Sequence, residues 1–272
     1  MQKTKTNIIK NNSKFYKLDF GIEDIEKPDK IQLLIFLATL SGFSGIDVLA
    51  KEEIIKVAIE AIKKAKQKSK ELNIELNPIP LLCSSFGIDL ISDLDKDSVL
   101  EKIEFLTDYA IDVIDIHFNA IDFLTNINKV DLICDLFKNK IISVNLSRKR
   151  LSNIHMVDLL KTCFSYSKKN LIIEVEGLRL YDNDYSHILQ TVSTADIINK
   201  QFIQTSPKYK RVPIILGNCK NRDIEKLALR CNVPFNGISF FYQNIKTFLS
   251  DKSTYSNEDI QSFLSKIKLY LS

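Results

Sequence analysis

The feature that most constrains this chain is a strict alternation of short β-type runs with amphipathic helical stretches, repeated eight times. The expected strands are Lys14–Phe20, Gly45–Ala50, Ile79–Ser84, Ile111–Phe118, Ile141–Leu146, Leu171–Glu176, Val212–Leu216 and Gly237–Tyr242. Between them apolar residues recur at helical spacing, as in Ile54, Ile55, Ala58, Ile59 and Ile62, or Ile224, Leu227 and Ala228. Strand–helix alternation calls for a parallel sheet, because parallel neighbours need a crossover between them. Eight such units in 272 residues close into a barrel, so the expected fold class is α/β, a (β/α)8 TIM barrel. The competing open sheet usually carries GxGxxG after its first strand, and none stands there. A last segment, Asn257 to Leu271, puts Ile260, Phe263, Leu264 and Ile267 on one face and reads as an extra C-terminal helix. No Pro/Gly/Ser-rich linker or internal repeat divides the chain. Residues 1–13 read as a short polar tail and residues 14–272 as one barrel domain.

Charge and cysteine usage exclude several function classes. The net charge is +4, and the lysines fall mainly on outer helix faces, as at Lys63, Lys64, Lys66, Lys68 and Lys70. A nucleic-acid binder would gather basic residues and aromatics on one face, and no such stripe exists. No run of about 18 apolar residues is present, so no spanning helix and no membrane partner are expected. Met1 to Asn12 lacks the apolar core of a secretory signal. The five cysteines are odd in number, widely spaced and without a CxxC pair, which points to a reducing compartment.

In these barrels the site lies at the C-terminal ends of the strands, and side chains alternate between the interior and the helices. In the fourth strand Ile114 and Ile116 suit the helix side, so Val113, Asp115 and His117 point inward. In the sixth, Leu171, Ile173 and Val175 face out and Glu174 and Glu176 face in. In the fifth, Ser143, Asn145 and Ser147 face in, and Asp47 of the second strand joins them. Alternate strands share layers, which gathers Asp47, Asp115, His117, Glu174 and Glu176. So many carboxylates cannot all stay ionised in a confined interior: a cation is bound, protons are shared, or water enters. His117 is either satisfied by Asp115 or Asn145 or takes part in catalysis. No expected inward position carries a lysine, so no Schiff-base nucleophile is anticipated. Cys83 has no basic neighbour to lower its pKa and reads as a buried structural thiol.

A small-molecule ligand with an anionic group has two candidate grips. One is the basic loop Arg148–Lys149–Arg150 after the fifth strand. The other is the phosphate site that such barrels build after their last two strands. Gly217, Gly237 and Asn244 are its candidate residues here, although Phe240, Phe241 and Tyr242 stand where close backbone approach would want small side chains. The chain's seven glycines fall below the usual ~7% share, so this signal is thin.

Four stretches carry a family resemblance. They are Ile46–Asp47–Val48–Leu49–Ala50, Pro80–Leu81–Leu82–Cys83–Ser84–Ser85, Ile111 through Asn119 (IDVIDIHFN), and the joined pair Ile142–Ser143–Val144–Asn145 with Ile173–Glu174–Val175–Glu176–Gly177. A fifth match runs from Val212–Pro213–Ile214–Ile215 to Gly237–Ile238. In these the chain resembles the hypothetical chloroplast reading frame twenty-three proteins of algal plastids and cyanobacteria, regarded as aldolase-type barrels of unassigned function. Glu176–Gly177 matches the family's glutamate–glycine pair after the sixth strand, and Asp47 its aspartate. The chain departs where the family is rich in glycine and serine, after the last two strands. The resemblance implies a plastid stromal location and no particular reaction.

The expected function is acid–base chemistry on a small, anionic metabolite at the strand C-termini, with Glu176 as base, His117 as its acid partner, and Asp47, Asn145 and Glu174 around them. The alternative is a non-catalytic barrel, binding or regulatory, whose phosphate loop has decayed. No cofactor is named by any motif, and a metal held by His117 with acidic partners stays an open alternative.

Overall fold

A computed structural model describes residues 15–20, 28–76, 79–87, 94–118, 123–147, 153–167, 170–177, 184–248 and 255–271. Eight parallel strands close on one another in chain order: β1 Phe15–Asp19, β2 Gly45–Leu49, β3 Leu81–Gly87, β4 Val113–Phe118, β5 Ile141–Ser147, β6 Leu171–Glu176, β7 Ile214–Cys219 and β8 Gly237–Phe241. The connecting helices are α1 Pro28–Leu40, α2 Glu52–Glu71, α3 Lys96–Ile103, α4 Phe123–Leu136, α5 Asn153–Ser167, α6 Asp184–Gln201, α7 Asp223–Arg230 and α8 Tyr242–Lys246, and α9 Asn257–Leu271 is the extra C-terminal helix. The chain is a (β/α)8 barrel.

Local chemistry explains the helices. In α2, Ile54, Ile55, Ala58, Ala61, Ile62 and Ala65 form the buried stripe while Lys63, Lys64, Lys66 and Lys70 stay in water. Glu52 and Glu53 sit in its first turn and Lys68 and Lys70 in its last, each opposite in sign to the helix end it faces. Asn73 follows α2 and Asn232 follows α7, with left-handed φ values of 52° and 54°, a conformation asparagine tolerates better than branched residues. Helix α9 starts with a reciprocal cap: the Asp259 N–H donates to Ser256 Oγ at 3.2 Å, and the Ser256 N–H donates to Asp259 Oδ2 at 3.0 Å. Its buried face is Ile260, Phe263, Leu264 and Ile267, and Tyr270 packs on Phe240 and Phe248. No helix among the described residues is long and apolar enough to cross a membrane.

Two apolar cores result. The larger lies between strands and helices. The smaller fills the lower barrel with Phe15, Leu81, Cys83, Val113, Ile141, Ile172 and Ile215. Phe15 forms the floor, and two glycines make room for it: a Cβ on Gly45 would lie 2.9 Å from Phe15 Cζ, and one on Gly237 would lie 2.3 Å from the Phe15 carbonyl oxygen.

Candidate functional site

The strand register stacks the interior in layers. Asp47 pairs with Cys83 and Cys83 with Val113, so strand tilt brings Asp115, two residues on, level with Asp47. Continued round the barrel, the same step places Glu174 and then Ser239 in that layer and returns to Asp47 through Lys17 and Gly45. Below it lies a layer of Lys17, Cys83, Ser143 and Ile215. Above it come Asp19, Ser85, Asn145 and Gly217, and then Leu49, His117, Glu176 and Phe241 at the mouth. The change from apolar floor to charged interior takes place within one turn of the pleat.

A lysine holds the charged layer together. Lys17 Nζ lies 3.0 Å from Asp47 Oδ2, 2.8 Å from Asp115 Oδ2 and 2.5 Å from Glu174 Oε2, and all four side chains are sealed from solvent. This corrects the expectation that no interior position carries a lysine. The signal was present, since Tyr16, Leu18 and Phe20 on the helix side require Lys17 and Asp19 to face inward. Lysine's strong bias to the surface hid it.

The electrostatics follow from that geometry. Burial alone would lower the Lys17 pKa, but Asp115, Asp47, Glu174 and Asp19 outweigh it and hold the ammonium well above its ordinary range. Burial would raise Asp115 too, yet Lys17 and His117 bring it down to about 2. The other acids behave oppositely. Burial pushes Asp47 up to about 6, Glu174 up to about 7 and Asp19 well above the usual carboxylate range. His117 is raised, because Asp115, Glu176, Asp19 and Asp47 together exceed its desolvation. At neutral pH the interior therefore combines fixed charges on Lys17 and Asp115 with acids that share protons.

The structure brings Asp47, His117, Asn145, Glu174 and Glu176 into one interior. Asn145 Nδ2 donates to Glu176 Oε1 at 3.1 Å, and His117 Nε2 lies 3.8 Å from Asp115 Oδ2. Gly217 stands beside both glutamates: a Cβ there would come within 2.7 Å of Glu176 Cγ and 2.9 Å of Glu174 Oε1. It opens space for acids, which is a different task from gripping an anion. Gly237 is at the opposite end of its strand, in the floor. Asn244, in the five-residue α8, donates through Nδ2 to the Cys219 carbonyl at 2.8 Å and ties β7 to α8. Arg148, Lys149 and Arg150 lie outside the described residues. Of the three aromatics expected to crowd the mouth, Phe241 alone belongs to the inner layers. Phe240 packs outside on Tyr16 and Phe43, and Tyr242 stacks on Phe20. Cys83 is buried with its thiol pKa raised, first by burial and then by Asp47, as befits a structural thiol.

Among the described residues, two groups have ligand atoms close enough to share a metal: Asp47, Asp115 and His117, and Asp19, Glu174 and Glu176. The second, all oxygen, suits a hard cation such as Mg²⁺, Mn²⁺ or Ca²⁺. In the first, Lys17 already occupies one oxygen of each aspartate. A cavity of about 470 Å³ lies elsewhere, between Ile59 and Lys66 of α2 and the start of β3 at Pro80–Leu82, and neither His117 nor any of the interior acids lines it.

No protein-family model matches the chain, and no curated protein matches it in sequence. Solved structures do. The spore coat polysaccharide biosynthesis protein SpsE of Bacillus subtilis has a TM-score of 0.55 at 13% identity, over 94% of this chain and 68% of its own. A deoxyribose-phosphate aldolase, described as putative, from Toxoplasma gondii has 0.53 at 10%, over 96% and 97%. An aldolase designated QR15 has 0.53 at 12%, over 100% and 99%. The barrel is similar to all three in fold.

Proposed function

We propose that this barrel is an acid–base enzyme for a small molecule bound at the strand C-termini, with His117 as proton donor and Glu176 as acceptor. One observation carries the reading. The interior acids Asp19, Asp47, Asp115 and Glu174 are buried, whereas His117 and Glu176 are partly open in the top layer. They flank the mouth with opposite proton tasks. The acids around His117 favour its protonated form, and Glu176 is oriented by Asn145. Glu174 beneath, near 7, can take or return a proton without large cost. The substrate presents a carbonyl or hydroxyl end to this pair. Any anionic group turns away from the acids, and the basic residues that follow β5 in the sequence, Arg148, Lys149 and Arg150, are the candidates to meet it. The aldolase neighbours share the fold on which such chemistry is common, and the strand motifs resembling the plastid family support a stromal location.

The experiment is solvent deuterium exchange followed by NMR, with dihydroxyacetone phosphate, pyruvate and simple 2-hydroxy acids as probes. Carbon-bound deuterium should appear in at least one probe, and Glu176→Gln should slow its appearance by about 10²-fold or more. Thermal stabilisation by a probe with no exchange in any of them would reject catalysis. It would favour the binding-barrel reading, for which the employment of Gly237 and Asn244 in packing already speaks.

A further inference from the structure

We infer that Lys17 is the resident cation of this barrel: its ammonium holds the place of a metal ion at the centre of the Asp47–Asp115–Glu174 layer, and removing it creates a divalent-cation site. The inference concerns the chain's own interior and holds whatever reaction proceeds at the mouth.

Three carboxylates on alternate strands converge on one point, with oxygens 2.5–3.0 Å from a single nitrogen. Each is sealed by the barrel wall. Such a constellation does not persist empty, because adjacent buried carboxylates repel one another and gain nothing from water. Two further features mark the centre as a coordination site and not as a simple ion pair. Asp47 Oδ1 and Glu174 Oε1 have no hydrogen-bond partner among the described residues, and the fourth member of the layer, Ser239, is fully buried with its hydroxyl likewise unpartnered there. The layer thus offers more oxygen lone pairs than one ammonium, with its three N–H donors, can occupy. Lys17 reaches this point from the layer below, where its stem passes above the Phe15 floor. The ammonium therefore arrives on the barrel axis, as a bound ion would. A hard cation with six or more oxygen ligands, Mn²⁺ for example, suits the same donor set once the side chain is shortened.

Lys17→Ala tests this with Mn²⁺ alone as probe. In the presence of a chelator the variant should melt about 10 °C or more below the wild type, the loss expected when one partner of a buried ion cluster is removed. Mn²⁺ should restore most of that loss. Electron paramagnetic resonance should count one equivalent of bound Mn²⁺ beyond whatever the wild type holds, and Lys17→Ala/Glu174→Gln should not bind that equivalent. Should Lys17→Ala fail to fold without metal, refolding with and without Mn²⁺ is the readout, and Lys17→Met/Asp115→Asn/Glu174→Gln, with one acid left in the layer, should fold in chelator. The inference is overturned if Lys17→Ala is as stable as the wild type in chelator, if Mn²⁺ binds both proteins equally, or if Mn²⁺ neither restores stability nor supports refolding.

Discussion

Raising the pH from 5 to 8 should destabilise this protein, chiefly through Glu174. The carboxyl has an ordinary pKa of 4.5 and stands at about 7 in the fold, so the folded chain holds a proton there that the unfolded chain releases. Stability from this group is complete below 4.5 and is lost as the pH climbs through 7. About two and a half units at 1.36 kcal/mol each amount to roughly 3 kcal/mol. Glu174 is fully enclosed, so solvent screening does not reduce that figure. Asp47, at about 6, and His117, also raised, act in the same direction. Because these groups exchange protons, their contributions do not add, and the figure for Glu174 serves for the set. Asp115 acts oppositely: its contribution is present above 3.8 and lost as the pH falls through about 2. Stability should therefore peak in mildly acidic solution. About 2.5 kcal/mol of this falls between pH 5 and pH 8, so at roughly 2–4 °C per kcal/mol for a chain of this size the wild type should melt about 5–10 °C lower at pH 8 than at pH 5. Thermal unfolding by circular dichroism at constant ionic strength measures this directly. Glu174→Gln, an uncharged mimic of the protonated acid, should flatten the slope. A wild-type profile that is level or rising from pH 5 to 8, or an undiminished slope in Glu174→Gln, refutes the reasoning.

Two further outcomes follow from packing. Gly237→Ala should cost at least about 1–3 kcal/mol, because its Cβ would meet the Phe15 carbonyl oxygen at 2.3 Å and backbone cannot swing aside as a side chain can. Denaturant melts should show the loss with any binding of inorganic phosphate unchanged, and the reverse pattern would return Gly237 to an anion site. In the native protein Cys231 should react rapidly with a thiol reagent, while Cys83, Cys134, Cys163 and Cys219, all buried, should react only on unfolding. A second fast thiol would contradict that burial.

The fold was legible in the sequence because period-two and period-3.6 patterns alternate cleanly. Leu171–Glu176 is both the expected and the observed sixth strand, and other boundaries move by a few residues, as where β3 runs Leu81–Gly87 instead of Ile79–Ser84. The same alternation placed Asp47, His117, Asn145, Glu174 and Glu176 inside. Three things were not legible. Lys17 is one, because residue type alone argues against burying an ammonium, and only its three acids make the burial possible. Gly237 looked like a phosphate contact because glycine near the last strand suggests close backbone approach; the approach is real, but it is made by Phe15. Gly177 is explained by packing as well: a Cβ there would lie 2.3 Å from the His187 carbonyl oxygen, so the glycine lets α6 press against the end of β6.

The position of Lys17 on the first strand has a consequence for assembly. As the chain leaves the ribosome, β1 to β4 bring Lys17 together with Asp47 and Asp115, so the first half of the barrel has an internal counter-ion. The second half, β5 to β8, carries Glu174 and Glu176 inward with no interior cation of its own among the described residues. Its acids are matched only when β8 and β6 close round β1. Ring closure and charge matching are thus one event, and the late strands have an electrostatic reason to wait for the early ones.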